Sequence, residues 1–201
     1  MRWPAAAVLV ASTGLTAATS VTPSAWDVDP PHTQVQFNAK HFFTPVSGAF
    51  DEFDIELAYD PEHPERSTVT ARIAVASVNT GSEKRDGHLR SGDFFDAEKH
   101  PYITFESKSV RQVGEGKLIA RGPLTIKGVA REIELPIEVL GVQAIPEPMR
   151  PMLGGVRDIA SFRANTRLDR RDFGVGVGDW AATLIVGKEI DVRIAVEASR
   201  K

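Results

Sequence analysis

From Thr33 onward, apolar and polar side chains alternate with a period of two, as in strands with one buried face. Val35, Phe37 and Ala39 alternate with Gln34, Gln36, Asn38 and Lys40, and His41 continues the apolar phase. After Gly48, Phe53, Ile55, Leu57 and Tyr59 alternate with Asp54, Glu56 and Ala58. The turn Asp60-Pro-Glu-His-Pro-Glu-Arg-Ser67 follows, then a third strand through Val69, Ala71, Ile73 and Val75. Five further runs repeat the pattern. They pass through Ile103, Phe105 and Ser107, then Leu118 to Ile126, then Ile133, Leu135, Ile137 and Val139, then Phe162, Ala164, Thr166 and Leu168, then Ile190, Val192, Ile194 and Val196. Gly114 and Gly116 mark a hairpin before the fifth run. Pro136 in the sixth predicts a bulge or an unpaired N–H position, and a Pro- and Gly-rich loop covers roughly 142–157.

Eight alternating strands in sequence predict an all-β chain, an eight-stranded antiparallel up-and-down barrel that closes its own edges. The periodicity by itself also admits a two-sheet sandwich. One segment interrupts the meander after the third strand. Arg85 and Asp86 open a charged turn, a short helical insertion gathers Leu89, Phe94 and Phe95, and Pro101 launches the fourth strand.

Composition narrows the reading. The 201 residues, 42% hydrophobic, fill one domain, and no linker or fixed-period repeat divides them. A formal charge of −3 leaves no basic footprint, so nucleic acid is not an expected partner. Residues 1–25 carry Arg2 as their only charge, followed by an Ala/Thr-rich apolar run too short for a membrane span. They are expected to be a secretory signal, cleaved after Ser20 or Ala25, with residues 26–201 as the barrel in the periplasm or outside the cell. The chain has no cysteine, so the barrel must hold without disulfides and thiol chemistry is absent.

Four stretches then carry a specific resemblance. Arg85-Asp-Gly-His-Leu-Arg-Ser-Gly-Asp-Phe-Phe-Asp-Ala-Glu-Lys-His-Pro-Tyr-Ile-Thr-Phe105, Trp26-Asp-Val-Asp-Pro followed by His32, Gly122-Pro-Leu-Thr-Ile-Lys-Gly128 and Asp169-Arg-Arg-Asp-Phe-Gly-Val175 closely resemble the YceI-like family. That resemblance implies a lipocalin-like barrel that binds a polyisoprenoid in an apolar tunnel. It decides for barrel over sandwich, and it carries the further expectation of a homodimer.

The expected ligand is a long isoprenoid lipid or a quinone, with no other cofactor, held by apolar contact. By alternation, Phe37, Ala39, Phe53, Ile55, Ile73, Ile103, Phe105, Leu118, Leu124, Ile133, Leu135, Ile137, Phe162, Ala164, Ile190 and Val192 are expected along the tunnel. His41 is expected as a polar group at one end, and Leu89, Phe94 and Phe95 as a plug. Small residues at Ala39, Ala71, Ala120, Gly122 and Ala164 point to reserved space. Trp180 is a candidate cover for a barrel opening.

Other chemistry is thinly represented. The five histidines (32, 41, 63, 88 and 100) lack metal-ligand spacing, and no metal is expected. Gly174-Val-Gly-Val-Gly178 lacks the lysine and the following helix of a phosphate loop. No serine sits in a nucleophile elbow, so no catalytic residue is assigned. Two alternatives stay open: a hydrolase or isomerase acting on a small apolar substrate through an acid–base pair such as His41 with a carboxylate, or a solid barrel whose loops bind a protein. Arg85, Asp86 and Arg90 read as a structural cluster fixing the insertion, or as a rim for a head group.

Overall fold

The computed structural model describes residues 24–182 and 184–201. Twelve strand segments run antiparallel: β1 (Ala25–Val28), β2 (Gln34–His41), β3 (Thr44–Phe50), β4 (Phe53–Ala58), β5 (Thr68–Ala74), β6 (Val78–Asn79), β7 (Tyr102–Glu106), β8 (Ser109–Gly114), β9 (Lys117–Ile126), β10 (Val129–Ala144), β11 (Asp158–Asp169) and β12 (Glu189–Arg200). They form eight ribbons, because four ribbons are bent at a kink where the chain does not reverse. Pro30–His32 separates β1 from β2, yet both pair with β12. β3 continues into β4 across residues 51–52, β5 into β6 across Val75–Ser77, and β7 into β8 across residues 107–108.

Each ribbon pairs with its two neighbours in turn, and β12 returns to β1 and β2. The sheet is therefore a closed eight-stranded barrel, and closure leaves no long free edge. Ion pairs lace its outer wall, among them Lys108–Glu132 at 2.6 Å and Arg163–Glu138 at 3.5 Å. Exposed pairs of this kind each contribute little.

The up-and-down order sorts the connections. The two-residue β2–β3 turn, the segment 80–101, the β9–β10 turn and the segment 170–188 gather at one end, here called the mouth. Segments 60–67, 115–116 and 145–157 gather at the other. There Trp26 donates from Nε1 to the Tyr59 carbonyl at 2.9 Å, and Tyr59 packs edge-on to Phe162 with centroids 5.0 Å apart. Among the described residues no helix is long and apolar enough to cross a membrane.

Several expectations need correction. The helix α1 (Glu83–Arg90) contains Leu89 but ends before Phe94 and Phe95, which lie in the turns that follow. β10 continues to Ala144, where a loop was expected from about 142. Of the two readings of Pro136, the unpaired position is the one found: the β10–β11 pairing starts at Ile137↔Ala164, so the missing N–H is not needed, and the register shift lies beyond it, between Val139 and Gly141. Residues 1–23 of the expected signal lie outside the described residues.

Candidate ligand cavity and its mouth

The inward faces enclose a cavity of about 170 Å³, roughly ten times the ~10–15 Å³ that one water requires. Every ribbon contributes. No charged side chain lines it, and the polar members are Gln36, Tyr59, Ser67, Thr68 and Thr166.

Alternation places most of the expected tunnel residues here: Phe37, Ile55, Ile73, Ile103, Phe105, Leu118, Leu124, Ile133, Leu135, Ile137, Phe162, Ala164 and Val192 all line the cavity. Phe53 does not. It opens β4 beside the bend at residues 51–52, packs half-buried against the core, and lines two other grooves with Pro30. Ile190 is half-buried near the mouth end of β12, outside the lining. Ala39 and His41 have followed β2 out of the barrel and line a separate groove at the mouth.

Other lining residues went unassigned. Phe50 and Val110 belong to β3 and β8, segments whose Pro, Gly, Ser and Gln content hides the alternation. Leu57, Val69, Ile126, Leu168, Ile194 and Val196 lie in phase with assigned residues, so alternation carried to the strand ends would have found them.

Small residues divide by cause. Ala71 and Ala164 line the cavity, whereas Ala120 is fully buried outside the lining. Gly122 is small because the β7–β8 bend crosses it: a Cβ there would overlap the Glu106 carbonyl oxygen and stand 3.1 Å from Ser107 Cα. It reserves no ligand space.

The mouth groove, about 450 Å³, shares Phe37 with the cavity, so that ring is the partition between the two. Leu89, Phe94 and Trp180 form its apolar wall. The Trp180 and His88 rings lie 4.7 Å apart, and those of Trp180 and Phe94 5.8 Å. Trp180 thus packs into the groove wall between His88 and Phe94. Phe95 instead packs edge-on to Phe50, 5.9 Å away, behind the groove. Lys40, His41, Lys84, Arg85 and His88 line the groove, and no carboxylate does.

Two clusters hold the mouth. Buried Asp86 accepts from Thr80 N at 3.0 Å and Thr80 Oγ1 at 2.5 Å, while Arg85 donates to Thr80 Oγ1 at 2.6 Å and Thr80 O at 2.7 Å. Arg85 and Asp86 therefore converge on Thr80 without pairing with each other. Arg90 donates to Glu83 and to the Ala76 carbonyl. The partners of the second cluster were not foreseen. Arg170 is buried and donates to five backbone carbonyls, those of Val175, Gly176, Trp180, Val186 and Gly187. Burial lowers its pKa, and the Arg171 charge adds to that. Asp169 caps the turn Arg170–Phe173 by accepting from Arg171 N, and its bonds to the Arg171 guanidinium hold its pKa at about 2.

Toward the opposite end, Asp29, His32 and Glu197 bring three ligating atoms within 4.8 Å, a grouping their sequence spacing concealed. His32 Nδ1 lies 2.8 Å from Asp29 Oδ2, and that bond raises the exposed imidazole's pKa. Asp29 N donates to Glu197 O and Thr33 Oγ1 to Asp29 O, so the cluster pins the β1–β2 kink to β12.

A closed up-and-down barrel enclosing an uncharged apolar cavity, with one polar-rimmed mouth, defines a lipocalin-like binding barrel. The family follows from comparison: the YceI-like domain model matches residues 26–198, and the chain belongs to that family. A UPF0312 protein of Vibrio cholerae is 32% identical over 171 residues, covering 85% of this chain and 83% of the relative. The structure of Burkholderia cenocepacia BcnA superposes with a TM-score of 0.76 at 28% identity, over 86% of this chain and 99% of that one. A polyisoprenoid binding domain from Saccharophagus degradans shares the fold, with a TM-score of 0.62 at 12% identity, over 88% of this chain and 98% of that one.

Proposed function

We propose that this protein binds an isoprenoid-type lipid, a polyprenyl chain or a quinone, in the barrel cavity and carries or stores it in the periplasm or outside the cell. The observation that carries the reading is the cavity lining: aliphatic and aromatic groups from every ribbon, with no charge. Such a surface recognises by shape and apolar area, at about 0.8 kcal/mol for each methylene taken from water. Ordering the chain offsets part of this, less for an unsaturated, branched tail than for a saturated one. The cavity takes the tail end, and the rest continues past Phe37 into the groove. Family membership and the fold shared with a polyisoprenoid binding domain support the same ligand class.

Binding accounts for the site better than catalysis does. His41 faces the ring of Phe42, 4.8 Å away, where the enzyme reading needs a carboxylate. The test is native mass spectrometry of the exported protein with organic extraction of its cargo. A stoichiometric isoprenoid is expected. A protein that stays empty after incubation with polyprenols and quinones would sink the reading.

A further inference from the structure

The β2–β3 turn spends two phenylalanines where folding alone favours glycine or asparagine. Phe42 adopts φ +52°, a left-handed conformation rare for a bulky residue at the first turn position. Phe43 is 90% exposed. The tip is not isolated. Phe42 N donates to Ile185 O at 2.8 Å, His41 bridges Val186, and Gly187 N donates to Lys40 O. This places Leu184, 70% exposed, and Ile185 beside the two rings. The carbonyls of Val186 and Gly187 are in turn fixed by Arg170. The result is a contiguous, pre-organised apolar tip at the mouth of the cavity.

Charge lies directly behind it. Lys40 and His41 precede the tip in sequence and line the groove with Lys84 and Arg85, and no carboxylate joins them. Of the acids in the neighbouring segment, Glu83 pairs with Arg90, Asp86 with Thr80 and Asp96 with Lys99, while Asp93 pairs with the groove's own His88 at 3.1 Å, so among the described residues Lys40 and Lys84 are groove cations with no carboxylate against them. Exposed large apolar groups backed by cations are the composition of a surface that sits in the interfacial layer of an anionic membrane.

We propose that the mouth end docks on an anionic lipid bilayer. Phe42, Phe43, Leu184 and Ile185 enter the headgroup–acyl boundary, and Lys40 and Lys84 meet lipid phosphates. The groove and Phe37 then stand over the bilayer, so a tail passes between membrane and cavity without crossing water. The inference rests on the lipid reading for its purpose only, because docking is measured with vesicles and no cargo.

The experiment is co-sedimentation of the exported protein with phosphatidylglycerol-containing vesicles against pure phosphatidylcholine. The wild type is expected to pellet with the former only, and less as salt rises. The double variants Phe43→Ser/Leu184→Ser and Lys40→Glu/Lys84→Glu are each expected to lower partitioning at least tenfold, about fivefold per lysine removed. All four side chains are outside the buried core, so unchanged melting checks the fold. A Phe43→Trp variant adds a second reading: its emission should shift to the blue on anionic vesicles. A wild type that stays in the supernatant, double variants that pellet like it, or an unshifted Trp would each overturn the proposal. Isoprenoid co-purification without docking would remove this inference and leave the cavity reading standing.

Discussion

Phe37 faces Gly48 across the β2–β3 ladder, and its ring lies over the glycine where a side chain would stand. A Cβ on Gly48 would overlap that ring and sit 2.8 Å from Thr80 Cγ2. Because Phe37 also divides the cavity from the mouth groove, this glycine positions the partition.

Gly48→Ala is therefore expected to displace the ring into the passage. The overpacking costs about 1–3 kcal/mol in stability. Lipid exchange should change with it, since the displaced ring is the partition between cavity and groove. Calorimetry and stopped-flow release of a fluorescent polyprenyl probe check the two effects together.

Ala164 and Ala71 leave cavity space that larger residues fill. Ala164→Leu should retain the barrel, because the added atoms enter a void, and should reduce lipid binding by tenfold or more. A retained melting temperature with lost co-purifying lipid is the expected pair of results. Unimpaired binding would place the tail elsewhere.

Arg170→Met removes the donor of five backbone carbonyls, two of them in fully buried bonds. Charged hydrogen bonds contribute about 1.5–3 kcal/mol each and do not add independently, so a loss of at least about 3 kcal/mol is expected in urea denaturation. Arg170→Lys should rescue little, since three donors on a flexible stem cannot span the same set. Proteolysis is expected to cut between residues 174 and 187 first.

Half-buried Asp169 and exposed His32 set opposite pH dependences. The Asp169 carboxyl, near 2 when folded against about 3.8 unfolded, stabilises the fold above 3.8 and loses that contribution as pH falls through 2. Arg171→Ala should remove this acid resistance. His32 has a raised pKa, so its contribution is complete below about 6.5 and disappears as pH rises through the folded value. Asp29→Asn should flatten that part of the melting-temperature profile.

The barrel was legible because strands with one wet face write their phase into the sequence, as Phe162, Ala164 and Leu168 do. The bends were not. β3, with Pro45 and Gly48, and β8, with a single buried Val110, carry too few apolar positions to show a period, and Phe50 was lost with β3. Phe53 kept its phase but stands at a bend, so its ring packs against the core without reaching the cavity lining. Gly122 misled because the absence of a side chain looks the same whether it admits a ligand or a crossing backbone. The partners of Arg170 lay beyond reach: they are carbonyls, which leave no trace in residue identity.

Closure of the ring depends on pairs such as Asp27↔Ser199 and Val28↔Ala198, which join the first strand to the last. Contacts so distant along the chain form late, after shorter loops have closed. Until β12 arrives, the other ribbons make an open sheet with two unpaired edges and no enclosed interior. Loading must then follow completion of the chain: a lipid cannot template this fold from its beginning, and a chain stopped before Glu189 should aggregate through its edges.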